Sequence, residues 1–118
     1  MPVTTADGGT VTDLSIRQDR FRGVFAADVP REVAALMAAT QRPVVAGALE
    51  EEATRTAWEV HPVLALVTTQ DLAIPADSMR SMAERAGSRT VEVDASHAVP
   101  VSRPGAAADL VREAARTT

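Results

Sequence analysis

The hydrophobic pattern is clearest between residues 63 and 97. Residues 63–67 form an unbroken apolar run, Val-Leu-Ala-Leu-Val, which is followed by Thr68 and Thr69. Such a run is typical of a strand that is buried on both faces, as in a parallel sheet. It is too short to cross a membrane. The pattern therefore predicts a strand near 63–69.

A helical repeat and a second strand follow the first strand. Four apolar residues recur at the i, i+3, i+4, i+7 spacing of one helical face: Met79, Met82, Ala83 and Ala86. Gly87 is expected to end this helix, which spans about 77–86. Residues 90–93 then alternate and are rich in β-branched side chains. The order predicts a right-handed βαβ crossover whose second strand lies near 91–94.

A further helix is predicted near 104–116, and two helical stretches are predicted in the first half of the chain. One covers Asp19 to Phe25. Asp28 is expected to cap the other, with Pro30 in its first turn. The fold class predicted from these elements is α/β.

Two stretches of the first half are less decisive. The apolar residues 44–49, interrupted by Gly47, are expected to form a short helix. Val3 and Val11 flank an Asp7-Gly8 turn signal, which is compatible with a small hairpin. A loose terminus is the open alternative for residues 1–18.

Composition removes several classes of function. The chain has 118 residues, a net charge of −4 and no cysteine, and its basic residues are scattered. One domain at most is expected, with no disulfide and no nucleic-acid partner. No signal peptide or membrane segment is recognisable, so the default expectation is a cytoplasmic protein without a membrane partner. No ligand cluster or phosphate loop is present, so no metal and no organic cofactor is expected.

Candidate chemistry lies where the two predicted strands end. Asp71 follows the first strand and His97 follows the second. An acid and a histidine at the same edge of a parallel sheet are two of the three groups of a hydrolytic triad. Asp94 competes with Asp71 for the role of acid. Ser96 adjoins His97, but neighbours in an extended segment point to opposite sides, so a Ser96–His97 pair is not expected.

Three segments carry a resemblance to a known family. Asp-Leu-Ala-Ile-Pro at 71–75 and Asp-Ala-Ser-His at 94–97 resemble the acid and histidine segments of α/β-hydrolases, closest to carboxylesterase-like members with a small cap. Met-Ala-Ala-Thr-Gln-Arg-Pro at 37–43 resembles the passage from cap to core. The resemblance implies a partial α/β-hydrolase fold, with two parallel C-terminal strands, flanking helices and cap helices. It places a cap-like helical region at 1–57 and the C-terminal part of the core at 58–118.

The resemblance also implies an activity and its residues. His97 would be the base and Asp71 the acid, because the family places the acid after the preceding strand. The reaction would be hydrolysis of a small ester or amide. No Gly-x-Ser-x-Gly segment occurs in the sequence, so the nucleophilic serine and the oxyanion donors are expected outside this chain.

Two interpretations remain open. In the first, the chain is part of a hydrolase that needs a complementary N-terminal half. The alternative is a non-catalytic interaction module or a truncated remnant of the hydrolase fold. Because two strands are too few for a stable sheet and their edges are unpaired, self-association is expected when the chain is alone.

Overall fold

The computed structural model describes residues 1–117. The strands and helices are, in chain order, β1 (Pro2–Thr4), β2 (Thr10–Leu14), α1 (Gln18–Phe25), α2 (Arg31–Thr40), β3 (Val44–Val45), β4 (Leu64–Thr68), α3 (Ala76–Arg85), β5 (Arg89–Val93), α4 (Val99–Ser102) and α5 (Pro104–Thr117). Two short 3-10 helices, Ala46–Leu49 and Ala57–Glu59, lie between β3 and β4. The described chain is therefore mixed α/β, with two small sheets.

The predicted parallel strand pair is confirmed. β4 and β5 run parallel, with Leu64 opposite Arg89 and Thr68 opposite Val93. Val67 and Thr68 are buried, whereas the start of β4 is half-buried. α3 connects the two strands, and α5 packs on β4. This unit brings the ends of β4 and β5 to the same edge.

The end of α3 has a local cause. Gly87 adopts a φ of +63°, a left-handed conformation that costs glycine little. The Gly87 N–H donates to the carbonyl of Glu84, and the Ser88 N–H donates to the carbonyl of Ala83. These two bonds form the Schellman motif, which satisfies carbonyls at the end of a helix. The chain is thereby turned from α3 directly into β5.

The N-terminal residues form a hairpin rather than a loose terminus. β1 and β2 pair antiparallel, with Val3 opposite Val11, and Gly8 in the turn has a φ of +85°. β2 also pairs antiparallel with β3. The helix predicted at 44–49 is therefore wrong at its first two residues, which are a strand, and the rest is a 3-10 helix.

A small hydrophobic core connects the first half of the chain with the loop after β5. The cluster consists of Phe21, Ala26, Val29, Ala34, Ala38 and Ala98. Five of these residues lie on or between α1 and α2, and Ala98 lies just after His97. The expectation that Asp28 caps α2 is wrong, because Pro30 occupies the N-cap position and no side chain caps the helix. Asp28 instead contacts the segment that contains Ala98.

The fold is open for its size. The radius of gyration is 16.5 Å, against about 13.5 Å for a compact domain of this length. The accessible surface is 8641 Å², against about 6,100 Å² for a compact monomer of the same mass. Large apolar side chains such as Leu36, Leu49, Val60 and Val111 are mostly exposed. Among the described helices, none is long and apolar enough to cross a membrane.

Candidate functional site

Asp71 and His97 lie together at the carboxyl edge of the parallel pair. Asp71 comes three residues after the last residue of β4, and His97 comes four residues after the last residue of β5. The Gln70 N–H donates to the carbonyl of Ala95 at 3.1 Å, which joins the two loops directly. The parallel topology thus brings both predicted side chains to one place.

The carboxylate of Asp71 is held on both oxygens. Its Oδ1 accepts hydrogen bonds from the backbone N–H groups of Ala73 at 2.8 Å and Ile74 at 2.9 Å. Its Oδ2 accepts one from the hydroxyl of Thr68 at 3.0 Å. The side chain is only 1% exposed. Four donors, counting His97, therefore surround a buried acid whose orientation is closely defined.

His97 is the fourth donor. Its Nδ1 lies 2.6 Å from Oδ2 of Asp71, and its side chain is 31% exposed. Because an ionised carboxylate only accepts hydrogen bonds, the proton of the neutral ring lies on Nδ1. Nε2 then carries the lone pair. The ring is oriented as a general base requires, with one nitrogen held by an acid and the other available to a substrate group.

Opposing effects act on the pKa of Asp71. Burial raises this pKa, but the hydrogen bonds from Ile74, His97, Ala73 and Thr68 outweigh it, so the net pKa lies below the ordinary value of 3.8. The acid is therefore ionised at neutral pH. An ionised partner stabilises the imidazolium that forms when a histidine accepts a proton.

The first half of the chain contributes to the same site. The ring of Phe25 lies against the ring of His97, with centroids 4.6 Å apart and planes inclined by 48°. The carbonyl of Phe25 accepts the Ala98 N–H at 3.0 Å. Phe25 also lines an apolar cavity of about 600 Å³ between α1, α2 and β3, to which Phe21, Met37 and Leu49 contribute. Phe25 is thus the residue that contacts both the histidine ring and this cavity.

Two residues near His97 have other partners. The hydroxyl of Ser96 donates to Oδ1 of Asp28, and Ser96 is 2% exposed. Asp94, the competing acid, accepts a hydrogen bond from the hydroxyl of Thr69 at 3.1 Å. Within residues 1–117, His97 has no hydrogen bond to Ser96 or Asp94. The geometry therefore favours Asp71 as the acid that orients His97.

Three contributors were not recognised from the sequence. The role of Thr68 could have been predicted, since this residue lies three positions before Asp71 at a strand end, where a hydroxyl reaches the following loop. Phe25 and Asp28 had none, because no spacing rule connects them with a histidine so far along the chain. In the described part of the chain, no cluster of three or more histidine or acidic side chains forms a metal site.

Comparisons with known proteins do not add to this description. No protein-family model matches the chain, and no curated protein matches it significantly.

Proposed function

We propose that this chain supplies the acid and the base of a Ser-His-Asp hydrolase that acts on a small ester or amide. Asp71 would be the acid and His97 the base, and the serine would lie on polypeptide outside this chain. The observation that supports the proposal is the 2.6 Å contact between His97 Nδ1 and a buried, fourfold hydrogen-bonded Asp71. The resemblance of residues 71–75 and 94–97 to α/β-hydrolases agrees with it.

The proposed reaction uses Nε2 of His97 first as a base and then as an acid in each of its two halves. As the serine hydroxyl attacks the carbonyl carbon, Nε2 takes the hydroxyl proton and the carbonyl oxygen becomes an oxyanion. When the oxyanion collapses, the carbon–oxygen or carbon–nitrogen bond to the leaving group breaks, and Nε2 returns the proton to that group. Water then removes the acyl group from the serine by the same two proton transfers. Asp71 stabilises the imidazolium in both halves.

The substrate part of the proposal depends on the apolar cavity beside Phe25. Most of its lining side chains are aliphatic or aromatic, with Gln41 and Arg42 among the polar ones, which suits a mainly apolar acyl or alkyl group. The site would therefore take small neutral esters or amides.

The test begins with the flanking coding sequence. An upstream, strand-rich segment with a Gly-x-Ser-x-Gly turn would be co-expressed with this chain, and turnover of p-nitrophenyl acetate by the purified complex would be measured. Turnover that disappears in His97→Ala and in the serine→alanine variant, but persists in Asp94→Asn, supports the proposal. A soluble complex with an intact serine and no turnover contradicts it.

One observation favours a second function, that of a non-catalytic interaction module. The accessible surface exceeds that of a compact monomer by about 2,500 Å², about three times the roughly 800 Å² that one partner buries in a standard interface. Complex formation without turnover, in a gene that encodes no Gly-x-Ser-x-Gly segment, would select this alternative.

A further inference from the structure

A carboxylate from the first half of the chain holds the residue next to His97. The N–H of Ser96 donates to Oδ2 of Asp28 at 3.1 Å, and the hydroxyl of Ser96 donates to Oδ1 of the same carboxylate. The two residues are 68 positions apart in the sequence. Hydrogen bonds to an ionised acceptor are stronger than those between neutral groups. The contact is therefore a long-range, two-point clamp.

The clamp is one of several contacts that hold the residues on both sides of His97. Ala95, Ser96, Ala98 and Val99 are all buried, whereas the His97 side chain remains partly exposed. Besides the clamp, the Ala95 carbonyl is bonded to Gln70, and the Ala98 N–H is shared between the Phe25 carbonyl and the Ser96 hydroxyl at 3.2 Å. The neighbours of His97 are thus bonded to two other segments of the chain, residues 25–28 and the loop after β4.

The two alanines beside the Ser96–His97 pair define the orientation of this loop only weakly. The residues that flank the Ser96–His97 pair are Ala95 and Ala98, whose single methyl groups offer little area to define a rotation. Hydrogen bonds, in contrast, are directional. Since the Ser96 N–H and hydroxyl are buried, removing their acceptor would leave both donors unsatisfied, and the loop would have to move to reach water.

We infer that Asp28 is a positioning residue for His97: through Ser96, its carboxylate fixes the loop that presents Nδ1 of His97 to Asp71. The inference rests on the proposed function only in taking His97 as the base. That Asp28 orients the loop of His97 is a statement about this chain alone. Asp28 is exposed at the surface, so its replacement creates no buried cavity. The Asp28 carboxylate bonds to Ser96 and also to Ser102, and of these two residues Ser96 is the one adjacent to His97.

The experiment measures the protonation of the two ring nitrogens of His97. The full chain is labelled with ¹⁵N-histidine and studied by solid-state NMR, in which association of the chain is no obstacle. At a pH high enough for the ring to be neutral, the wild type is expected to show His97 as a single Nδ1–H tautomer with a strongly hydrogen-bonded proton. His61, the second histidine and an exposed residue, serves as an internal reference.

Three variants decide the question. Asp28→Ala is expected to lose the single-tautomer signal of His97, with the spectrum moving towards that of exposed His61. The His97 spectrum of Asp28→Asn is expected to lie between those of the wild type and Asp28→Ala, because its one carbonyl oxygen accepts only one of the two Ser96 donors. Asp19→Ala is the matched control, since Asp19 is also an exposed acid of the first half but bonds only to Arg17. It should leave His97 unchanged.

The inference is overturned if Asp28→Ala remains folded and keeps the wild-type signals of His97. If Asp28→Ala does not fold, Asp28→Asn decides in the same way, because it preserves size and one hydrogen bond. Failure of the proposed function is seen separately: a complemented complex without turnover contradicts the hydrolase, whereas the NMR signals require no turnover.

Discussion

Nδ1 of His97 lies 2.6 Å from Oδ2 of Asp71, although the two residues are 26 positions apart. The contact exists because β4 and β5 are parallel and adjacent, so that the loops after both strands leave at the same edge. Backbone donors of the first loop hold the acid, and the segment around His97 is held by residues from the first half of the chain. The pair is thus assembled by three parts of the fold.

Replacing Asp71 by asparagine should reverse the tautomer of His97. The carbonyl oxygen of the introduced amide can still accept the N–H groups of Ala73 and Ile74, which turns the amide NH₂ towards His97. Nδ1 must then accept a hydrogen bond, and the proton moves to Nε2. In a complemented hydrolase, a wrong tautomer of this kind costs about 10⁴-fold in kcat. Ring ¹⁵N shifts measure the tautomer, and Asp94→Asn is the control. A retained Nδ1–H in Asp71→Asn would contradict the prediction.

The same substitution should also destabilise the chain. Thr68 and His97 exchange an ionised partner for a neutral amide, and a hydrogen bond to a charged group contributes about 1 kcal/mol more than a neutral one. Urea unfolding followed by circular dichroism would measure the change in unfolding free energy. Asp94→Asn is again the matched control, because Asp94 lies at the surface with one hydroxyl donor. Equal stability of the two variants would show that the donors around Asp71 find other partners.

Acid should weaken the fold through Asp71 and Asp28. For each, burial raises the pKa, and hydrogen bonds outweigh this effect, so that both pKa values lie below the ordinary value of 3.8. The unfolded chain therefore binds protons at a higher pH than the folded chain. The stabilisation is fully present above the unfolded value and is lost as the pH falls through the folded values.

Urea titrations between neutral pH and pH values below about 4 would test whether the free energy of unfolding falls on acidification. The free energy of unfolding should be nearly constant at first and then fall. The double variant Asp28→Asn/Asp71→Asn should be less stable at neutral pH and show a shallower fall, with a residual slope from the other carboxylates. A wild-type chain that gains stability on acidification would refute the assignment of both pKa directions.

The isolated chain should not hydrolyse p-nitrophenyl acetate faster than its His97→Ala variant. Transition-state stabilisation in such reactions comes largely from the nucleophile and the oxyanion donors, and no Gly-x-Ser-x-Gly segment is present. Initial rates over a range of ester concentrations would measure this. Saturable turnover that is lost in His97→Ala would contradict the prediction and would indicate a nucleophile within the chain.

The isolated chain should associate through the open side of β4. In the parallel pair, main-chain groups of alternate β4 residues point away from β5. An apolar groove between β4 and α3 is lined by Trp58, Leu66 and Met82. Met82 is 50% exposed, so Met82→Lys should reduce association with little effect on the fold. Leu36→Lys, on α2 and 65% exposed, is the matched control.

Sedimentation velocity of the three proteins at micromolar concentration would show the effect. The wild type and Leu36→Lys are expected as oligomers, and Met82→Lys is expected to shift towards the monomer. A wild-type chain that sediments as a compact monomer and melts cooperatively would exclude this surface as an association site.

The βαβ unit was predictable from the sequence because its signals are local. The apolar run at 63–67, the helical spacing of Met79 and Ala83, and Gly87 after the helix each depend on residues a few positions apart. Once two parallel strands are predicted, the meeting of Asp71 and His97 follows from topology, since parallel neighbours end at one edge. The sequence could therefore indicate that Asp71 and His97 lie close together.

The surroundings of His97 depend on packing between distant segments. Asp28 precedes Pro30 and a helix, which locally fits an N-cap, yet its carboxylate bonds to Ser96, 68 residues away. Phe25 has the pattern of an ordinary core residue, yet its ring lies against His97. Sequence patterns over a few residues indicate which local structure a segment favours. A long-range hydrogen bond depends instead on where α1 lies relative to the loop after β5. Only the folded arrangement of the whole chain decides that position.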